Sequence, residues 1–425
     1  MERYAAVLLY AIPFFILLLI IERIAAAIRG AKVIKGMDTL SSLSSGVTNV
    51  VKDVLGLTFV IVSYSWLEAR ISIFDIPEGW WLYLVAFIGI DFAGYWNHRL
   101  SHHVNYFWNV HIIHHSSEEF NLACALRQSI SSIFGTLIVF LVPTAILGVP
   151  PEVITIVAPL HLFAQYWYHT RLIGKMGFLE HIIVTPSHHR VHHAINKEYL
   201  DKNMAQIFII WDKLFGTFQE ELDDVPPVYG IKRPGKTWNP ILINFQHLWQ
   251  LIKDAWHTRS WLDRLRIWFM PTGWRPQDVK EKHPVEVIED VYAYEKYDPQ
   301  ISMVSKAWCW TQGVITFLLL LYMFGNFSEI GSPGVFLFGG YIYLAVFNYT
   351  TQMDKSPWSV YTAFLHSGAG ISILLLTGDW FLISRLLPWS QYAIGAYFII
   401  SFLVTYMLYR KEMGHHIANQ KIAGS

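Results

Sequence analysis

Thirteen of the 19 histidines lie between His98 and His193, under a quarter of the 425-residue chain. They form three short motifs. HRLSH carries His98 and His102, HIIHH carries His111, His114 and His115, and HRVHH carries His189, His192 and His193. Residues three and four apart share one helix face. Each triplet is therefore expected to aim three rings at one point, with His98 and His102 aimed as a pair. Eight packed imidazoles without a metal would each need a donor and an acceptor, and protonating them would stack positive charge beside apolar segments. Neutral imidazole is the commonest nitrogen ligand, so metal coordination removes both problems.

Eight or nine histidines are too many for one ion. A closed structural zinc site takes four ligands and usually includes cysteine. Two ions with four or five ligands each fit better, leaving positions open for substrate or oxygen. His169, in YWYHTRLIG, is the expected ninth ligand, and Gln165 stands one turn before it. His188 points off the face shared by His189, His192 and His193, and His103 lies off the His98–His102 face. Imidazole-only sites suit Fe, Zn, Cu or Ni, and spacing does not choose among them. Glu118, Glu119 and Asn121 follow the second triplet closely enough to orient ligands from behind. Asp201, Asn203 and Asp212 could do the same. Of these, Glu118, Asn121, Gln165 and Asn203 are the expected catalytic residues. The isolated His161, His181, His247 and His257 read as ordinary polar residues, and His366 as packing or headgroup contact.

The elements that must position these groups are membrane helices. Hydrophobic residues make up 53% of the chain and charged residues 15%, against roughly 25% charged in a soluble protein. The formal net charge is zero, which gives no pull toward nucleic acid. Cys124 and Cys309 are far apart and form no metal-binding or disulfide framework. A hydrocarbon core needs about 20 apolar residues in helical form. Nine runs are candidates: 4–27, 48–67, 80–97, 130–148, 153–171, 307–325, 334–351, 358–377 and 386–409. The first lies too long and too far ahead of its basic residues for a signal peptide, so it reads as a retained span. Arg29, Lys32 and Lys35 follow the first span, Arg99 the third, Arg171 and Lys175 the fifth, and Arg410 and Lys411 the last. The positive-inside rule then predicts an outside N-terminus, a cytoplasmic C-terminus and all histidine motifs on the cytoplasmic side. The stretch 173–304 is polar yet holds seven tryptophans, from Trp211 to Trp274. Trp and Arg at that density suit helices lying at the headgroup level.

The expected fold is thus an all-α integral membrane bundle with a cytoplasmic-face di-metal site and interfacial helices. Four regions follow: N-terminal membrane helices (1–75), a histidine-box catalytic domain (76–222), an aromatic-rich interfacial segment (223–304) and C-terminal membrane helices (305–425).

HxxxH, HxxHH and HxxHH on a multi-span chain resemble the fatty acid hydroxylase and sterol desaturase superfamily. HHSSEEFNLACALRQS (114–129) and TPSHHRVHHAINKEYLDKNMAQIFIIWDKLFGTFQEE (185–221) resemble, more narrowly, the alkylglycerol monooxygenases and their bacterial relatives. The likeness runs over about 80–275, includes VYGIKRPGKTWNP, and is looser beyond. It implies a non-haem di-iron monooxygenase that uses O2 to hydroxylate a lipid C–H bond. In that branch the carbon attacked is next to an ether oxygen, and the product falls apart to an aldehyde and a glycerol. The eight motif histidines carry over as ligands, with His169 from the HT after the fifth span. Related hydroxylases often have a second histidine where Gln165 stands; the favoured branch shares the Gln. A sterol, a fatty acyl chain or an aminolipid is the alternative substrate. No dinucleotide fingerprint, cysteine cluster or haem motif is present, so electrons must come from a separate donor. The family's animal enzyme uses a tetrahydropterin. The implied location is the bacterial inner membrane or the endoplasmic reticulum.

Two other classes compete. A divalent-metal transporter would carry histidines along its spans throughout the bilayer, whereas these cluster at span ends on one face. A zinc-dependent membrane hydrolase would need neither nine ligands nor O2.

Overall fold

The computed structural model describes residues 2–58, 62–74, 76–132 and 137–423, with the side chains of residues 3 and 413–423 excepted. The longer helices are α1 (Glu2–Ile28), α2 (Gly36–Val54), α3 (Trp80–His103), α4 (Asn105–His115), α5 (Pro151–Phe163), α6 (Pro186–His192), α7 (Pro240–His257), α8 (Met303–Gly325), α9 (Gly334–Met353), α10 (Ser359–Thr377) and α11 (Ser390–Ala423). Between them lie short helical turns, and β pairing among the described residues is limited to isolated bridges. The chain is an all-α, multi-pass membrane protein.

The nine candidate runs differ in how far they form single long helices. Among the described residues, four helices are long and apolar enough to cross a membrane: Tyr4–Ile28 of α1, α8, α10 and Ser390–Glu412 of α11. The run 48–67 is not one helix, because α2 ends at Val54 and a separate helix starts at Tyr64. The described part of 130–148 is two short helices, Leu137–Phe140 and Val142–Ile146. The run 153–171 stops being helical after Phe163, and its remainder delivers His169 to the site. Helices α3 and α9 have 24 and 20 residues, and both carry polar residues toward one end, Asp91 to His103 in α3 and Asn348 to Gln352 in α9. Asp91 shows why polarity is tolerated in α3. Its buried carboxylate accepts from the amides of Ile207 and Phe208, from Trp211 Nε1 and from the His161 ring, at 2.8–3.0 Å. A buried carboxylate with four partners is satisfied, and it ties α3 to α5 and to the 207–211 loop.

The C-terminal helices form one core with α2. Close approach explains two glycines. A Cβ on Gly313 of α8 would lie 2.7 Å from Leu40, and one on Gly339 of α9 would lie 2.6 Å from Leu55. The bundle therefore clasps α2, and α2 reaches the histidine region through a buried ion pair. Asp38 accepts from Arg127 at 2.8 Å with both side chains 1% exposed, and Ser117 donates to the same carboxylate.

The polar segment is built onto α4. Asn105 is its peg: the side chain donates to the carbonyls of Ile267 and Trp274 and accepts from the Gly273 amide. Helix α7 starts at an Asn239 cap followed by Pro240, a preferred helix start. It packs along α4, where the Leu248 amide donates to Asn109. Its outer side and the turn after it leave Trp249, Trp256, Trp261, Leu262, Leu265 and Phe269 exposed. An apolar patch of that kind beside membrane helices fits a lipid interface better than water.

Candidate di-metal centre

Helices α3 and α4 are joined by one extended residue, Val104. That tight corner folds the His98–His102 face onto the face of α4. The short α6 enters from the other side. Thr185 caps it and Pro186 occupies its first turn, so His189 and His192 sit near its end and His193 at its C-cap. His169 arrives from the irregular stretch after α5.

The nine rings fall into two groups whose nitrogens lie within 4.8 Å of one another: His98, His102, His111, His115 and His192, and then His114, His169, His189 and His193. This corrects the expectation that each triplet converges on one point. Adjacent residues diverge in direction by about 100° on a helix, so His114 and His115 serve different groups, as do His192 and His193. The two groups adjoin through their rings, His115 stacking on His193.

Within the first group, Nε2 of His111 lies 2.8 Å from Nε2 of His98 and 3.1 Å from Nε2 of His115. In the second, Nε2 of His189 lies 2.8 Å from that of His169 and 3.0 Å from that of His193. Burial, reinforced for most by neighbouring imidazoles, pushes these rings below their ordinary pKa, to about 4 for His98 and His114. They are neutral at pH 7 and present lone pairs. The Nε2 atoms of His102 and His192 are buried with no hydrogen-bond partner, which is costly in a protein interior unless something else binds them. Converging neutral nitrogens, two of them orphaned, fit a pair of transition-metal ions.

The opposite ring nitrogens are held by backbone carbonyls. His98 Nδ1 is paired with Met204 O at 2.7 Å, His192 Nδ1 with Lys202 O at 3.0 Å, His114 Nδ1 with Arg127 O at 3.2 Å and His169 Nδ1 with Gln165 O at 3.1 Å. Such contacts fix the tautomer that leaves Nε2 free. His102 instead has the Asp201 carboxylate 3.5 Å from its Nδ1.

The expected supporting residues lie around the centre in different ways. Asn203 donates to His188 O and Gln219 O and accepts from the Gln219 amide. Asp212 accepts from the amides of Met204 and Ala205. Together they shape the loop whose carbonyls hold His98 and His192. That loop places Asp201 and Asn203 at φ 56° and 53°, a region Asp and Asn tolerate better than most residues. Gln165 touches the His169 ring through its carbonyl, while its side chain reaches His161 and Gln206. Asn121 donates to Val33 O, and the Glu118 carboxylate accepts from Tyr294 OH and the Tyr297 amide. Glu119 pairs with Arg171 and Lys296. His188 turns to Thr185 and Phe218 and stands in neither group.

A cavity of about 370 Å³ opens beside the first group. His102, His115, His192 and His193 form its inner wall, and Trp108, Ile112, Leu200, Ile231 and Leu251 make much of the rest apolar. The chain reading missed its far wall, Arg233, Gln246, His247, Gln250, Asp254 and Arg275. His247 in particular is a cavity residue, its ring paired with Asn105 O; only its packing against α4 reveals that.

Helices thus deliver two adjoining histidine groups, each able to hold a metal ion, beside an apolar cavity in a multi-pass membrane protein. The fatty acid hydroxylase family model matches residues 83–217, which hold all nine clustered histidines. Alkylglycerol monooxygenase of Homo sapiens is 40% identical over 268 residues, 63% of this chain and 59% of that protein. The same enzyme of Xenopus tropicalis is 35% identical over 353 residues, 82% of this chain and 77% of that protein. That of Danio rerio is 33% identical over 321 residues, 74% and 70% of the two chains. No solved structure matches the chain. The chain belongs to the fatty acid hydroxylase and sterol desaturase superfamily.

Proposed function

We propose that the protein is an integral-membrane di-iron monooxygenase that cleaves alkylglycerol ether lipids. The observation that carries the reading is the pair of histidine groups, five and four rings, facing an apolar cavity in a chain similar to alkylglycerol monooxygenases over most of its length. Nine neutral ligands suit iron, and two bound irons supply the oxygen-activating redox chemistry. The reaction consumes O2, two electrons and two protons. One oxygen atom enters the C–H bond beside the ether oxygen and the other leaves as water. The hydroxylated carbon is then a hemiacetal, whose C–O bond to glycerol breaks to give a long-chain aldehyde and a free glycerol hydroxyl.

The chain's own residues do the positioning. Ile112, Leu200, Ile231 and Leu251 exclude water from the reacting carbon. His102, His115 and His192 form the wall that the carbon faces. Met204 O and Lys202 O hold their ring partners so that Nε2 points inward. Electrons come from a separate donor, with a tetrahydropterin as the candidate. A cytoplasmic centre is the orientation we infer from the basic residues: Arg29 at the end of α1 donates to Leu172 O beside Arg171, on the His169 side of the fold, which supports that reading. Metal analysis tests the reading. Iron-replete protein should hold close to two irons per chain and consume O2 when an alkylglycerol and a reductant are added. One tightly held zinc and no O2 uptake would sink it.

A further inference from the structure

The far wall of the cavity carries a guanidinium with no ion-pair partner of its own among the described residues. Lys232, Arg233 and Arg275 line it against two carboxylates, Asp201 and Asp254. Asp254 is already engaged: Arg275 donates to both of its oxygens, at 2.6 and 2.9 Å, and Gln250 Nε2 donates at 2.6 Å. Asp201 faces His102. Lys232 donates to the Ile288 carbonyl. Arg233 has only Gln250 Oε1, at 2.7 Å from its Nη2, and no carboxylate within ion-pair distance among the described residues. Burial together with Arg275 holds its guanidinium below the usual value. A half-buried cation with one neutral acceptor leaves most of its five donors to a ligand. Two more polar atoms on the same wall are buried without partners, Gln246 Oε1 and Thr272 Oγ1. They ask for a hydroxyl or another polar group beside the anion. A second hollow of about 410 Å³ shares Arg233, Gln246, Gln250 and Asp254 with the first and continues to His257 and His283, so the polar end has room for a headgroup.

We propose that Arg233 is a specificity-determining residue that binds the phosphate of a lipid substrate, with Gln246 and Thr272 taking the hydroxyl-bearing part of its headgroup. Guanidinium and phosphate match in geometry, two parallel N–H···O bonds to one group. The placement suits a short reach. In an alkylglycerol phosphate the reacting carbon and the phosphorus are separated by the glycerol alone, and Arg233, the histidine wall and the apolar residues line one and the same cavity. The identity of the lipid rests on the ether-cleaving reading; the anion site does not.

Binding separates the two. Full-length, metal-loaded protein in nanodiscs of neutral lipid is titrated with hexadecyl phosphate, with hexadecanol and with inorganic phosphate. Hexadecyl phosphate should bind about tenfold or more tightly than hexadecanol, as a charge-assisted contact supplies. Inorganic phosphate should compete only weakly, because it lacks the tail. Arg233→Gln should abolish the difference and leave hexadecanol binding unchanged, while Arg233→Lys should restore part of it. The proposal is overturned if the wild type binds the phosphate and the alcohol equally, a result that needs no variant, or if Arg233→Gln weakens both by the same factor. Turnover gives the second arm. Arg233→Gln should raise KM for 1-O-hexadecylglycerol 3-phosphate and spare that for 1-O-hexadecylglycerol. A retained binding preference with no cleavage of either lipid would refute the ether-cleaving reading and keep the anion site.

Discussion

His115 and His193 stack with ring centroids 4.3 Å apart and planes 24° apart, yet they belong to different ligand groups. Each is one member of an adjacent histidine pair, and each pair is shared out between the two groups. The doubled histidines are thus the bridge between the metal positions: the HH at 114–115 and the HH at 192–193 fix how far apart two ions can sit.

Selective metal loss should follow from that division. His192→Ala removes a ligand from the five-ring group, and His193→Ala removes one from the four-ring group. Each variant should lose turnover by at least about 100-fold, since outer-layer changes alone cost 10–100-fold. Iron content should fall toward one per chain in both, with different spectroscopic signatures for the iron that remains. Identical residual spectra would mean that the rings form a single shared cluster.

The 201–204 loop should matter as much as a ligand. Asn203→Ala removes the side chain that fixes the loop whose carbonyls hold His98 and His192. Metal affinity should drop about 10–100-fold, and thermal stability should fall by about 1–3 kcal/mol from the buried partners left unpaired. Competition with a chelator and a melting curve measure both. Unchanged metal affinity would show that the loop keeps its shape without Asn203.

Asp38 acts at a distance. It neutralises Arg127, whose carbonyl is paired with His114 Nδ1. Asp38→Ala leaves a guanidinium buried and uncompensated, at a cost of about 3–5 kcal/mol. The variant should melt earlier and lose metal first from the four-ring group. Asp38→Ala together with Arg127→Met should recover much of the stability, whereas a double variant as unstable as the single would disprove the pairing argument.

The histidine spacing made the centre legible in the chain, because HxxxH and HxxHH declare helix faces before any fold is known. Their partition into five and four was not legible. It depends on the single-residue corner at Val104 and on α6 ending at His192, neither of which ring spacing reports. The carbonyls of Met204, Lys202, Arg127 and Gln165 carry no side-chain signal at all. The breaks in the candidate runs were not legible either: α2 ends at Val54 within the run 48–67, and the run 153–171 stops being helical after Phe163, where the chain turns to bring His169 to the centre. Asp91 stood out as a charge in an apolar run, yet its four partners come from two distant segments, His161 and residues 207–211. The cavity's polar wall lies some 40–80 residues beyond the last motif and becomes visible only when α7 is laid along α4.

Orientation can be tested with two exposed positions on opposite ends of the fold. Lys197 follows α6 near the centre, and Glu78 precedes α3 at its far end. In a background with the buried Cys124 and Cys309, Glu78→Cys should react with an impermeant maleimide on intact cells. Lys197→Cys should react only after permeabilisation. The reverse pattern would place the centre outside.

Isotope incorporation tests the central claim most directly. The purified, iron-loaded protein is given 1-O-hexadecylglycerol, 18O2 and a reductant, and the aldehyde is reduced at once to the alcohol to stop exchange with water. If a monooxygenase hydroxylates the carbon beside the ether oxygen, the hexadecanol carries one 18O and the released glycerol carries none. Hexadecanol without label, or an intact hydroxylated lipid in place of any aldehyde, would contradict the account.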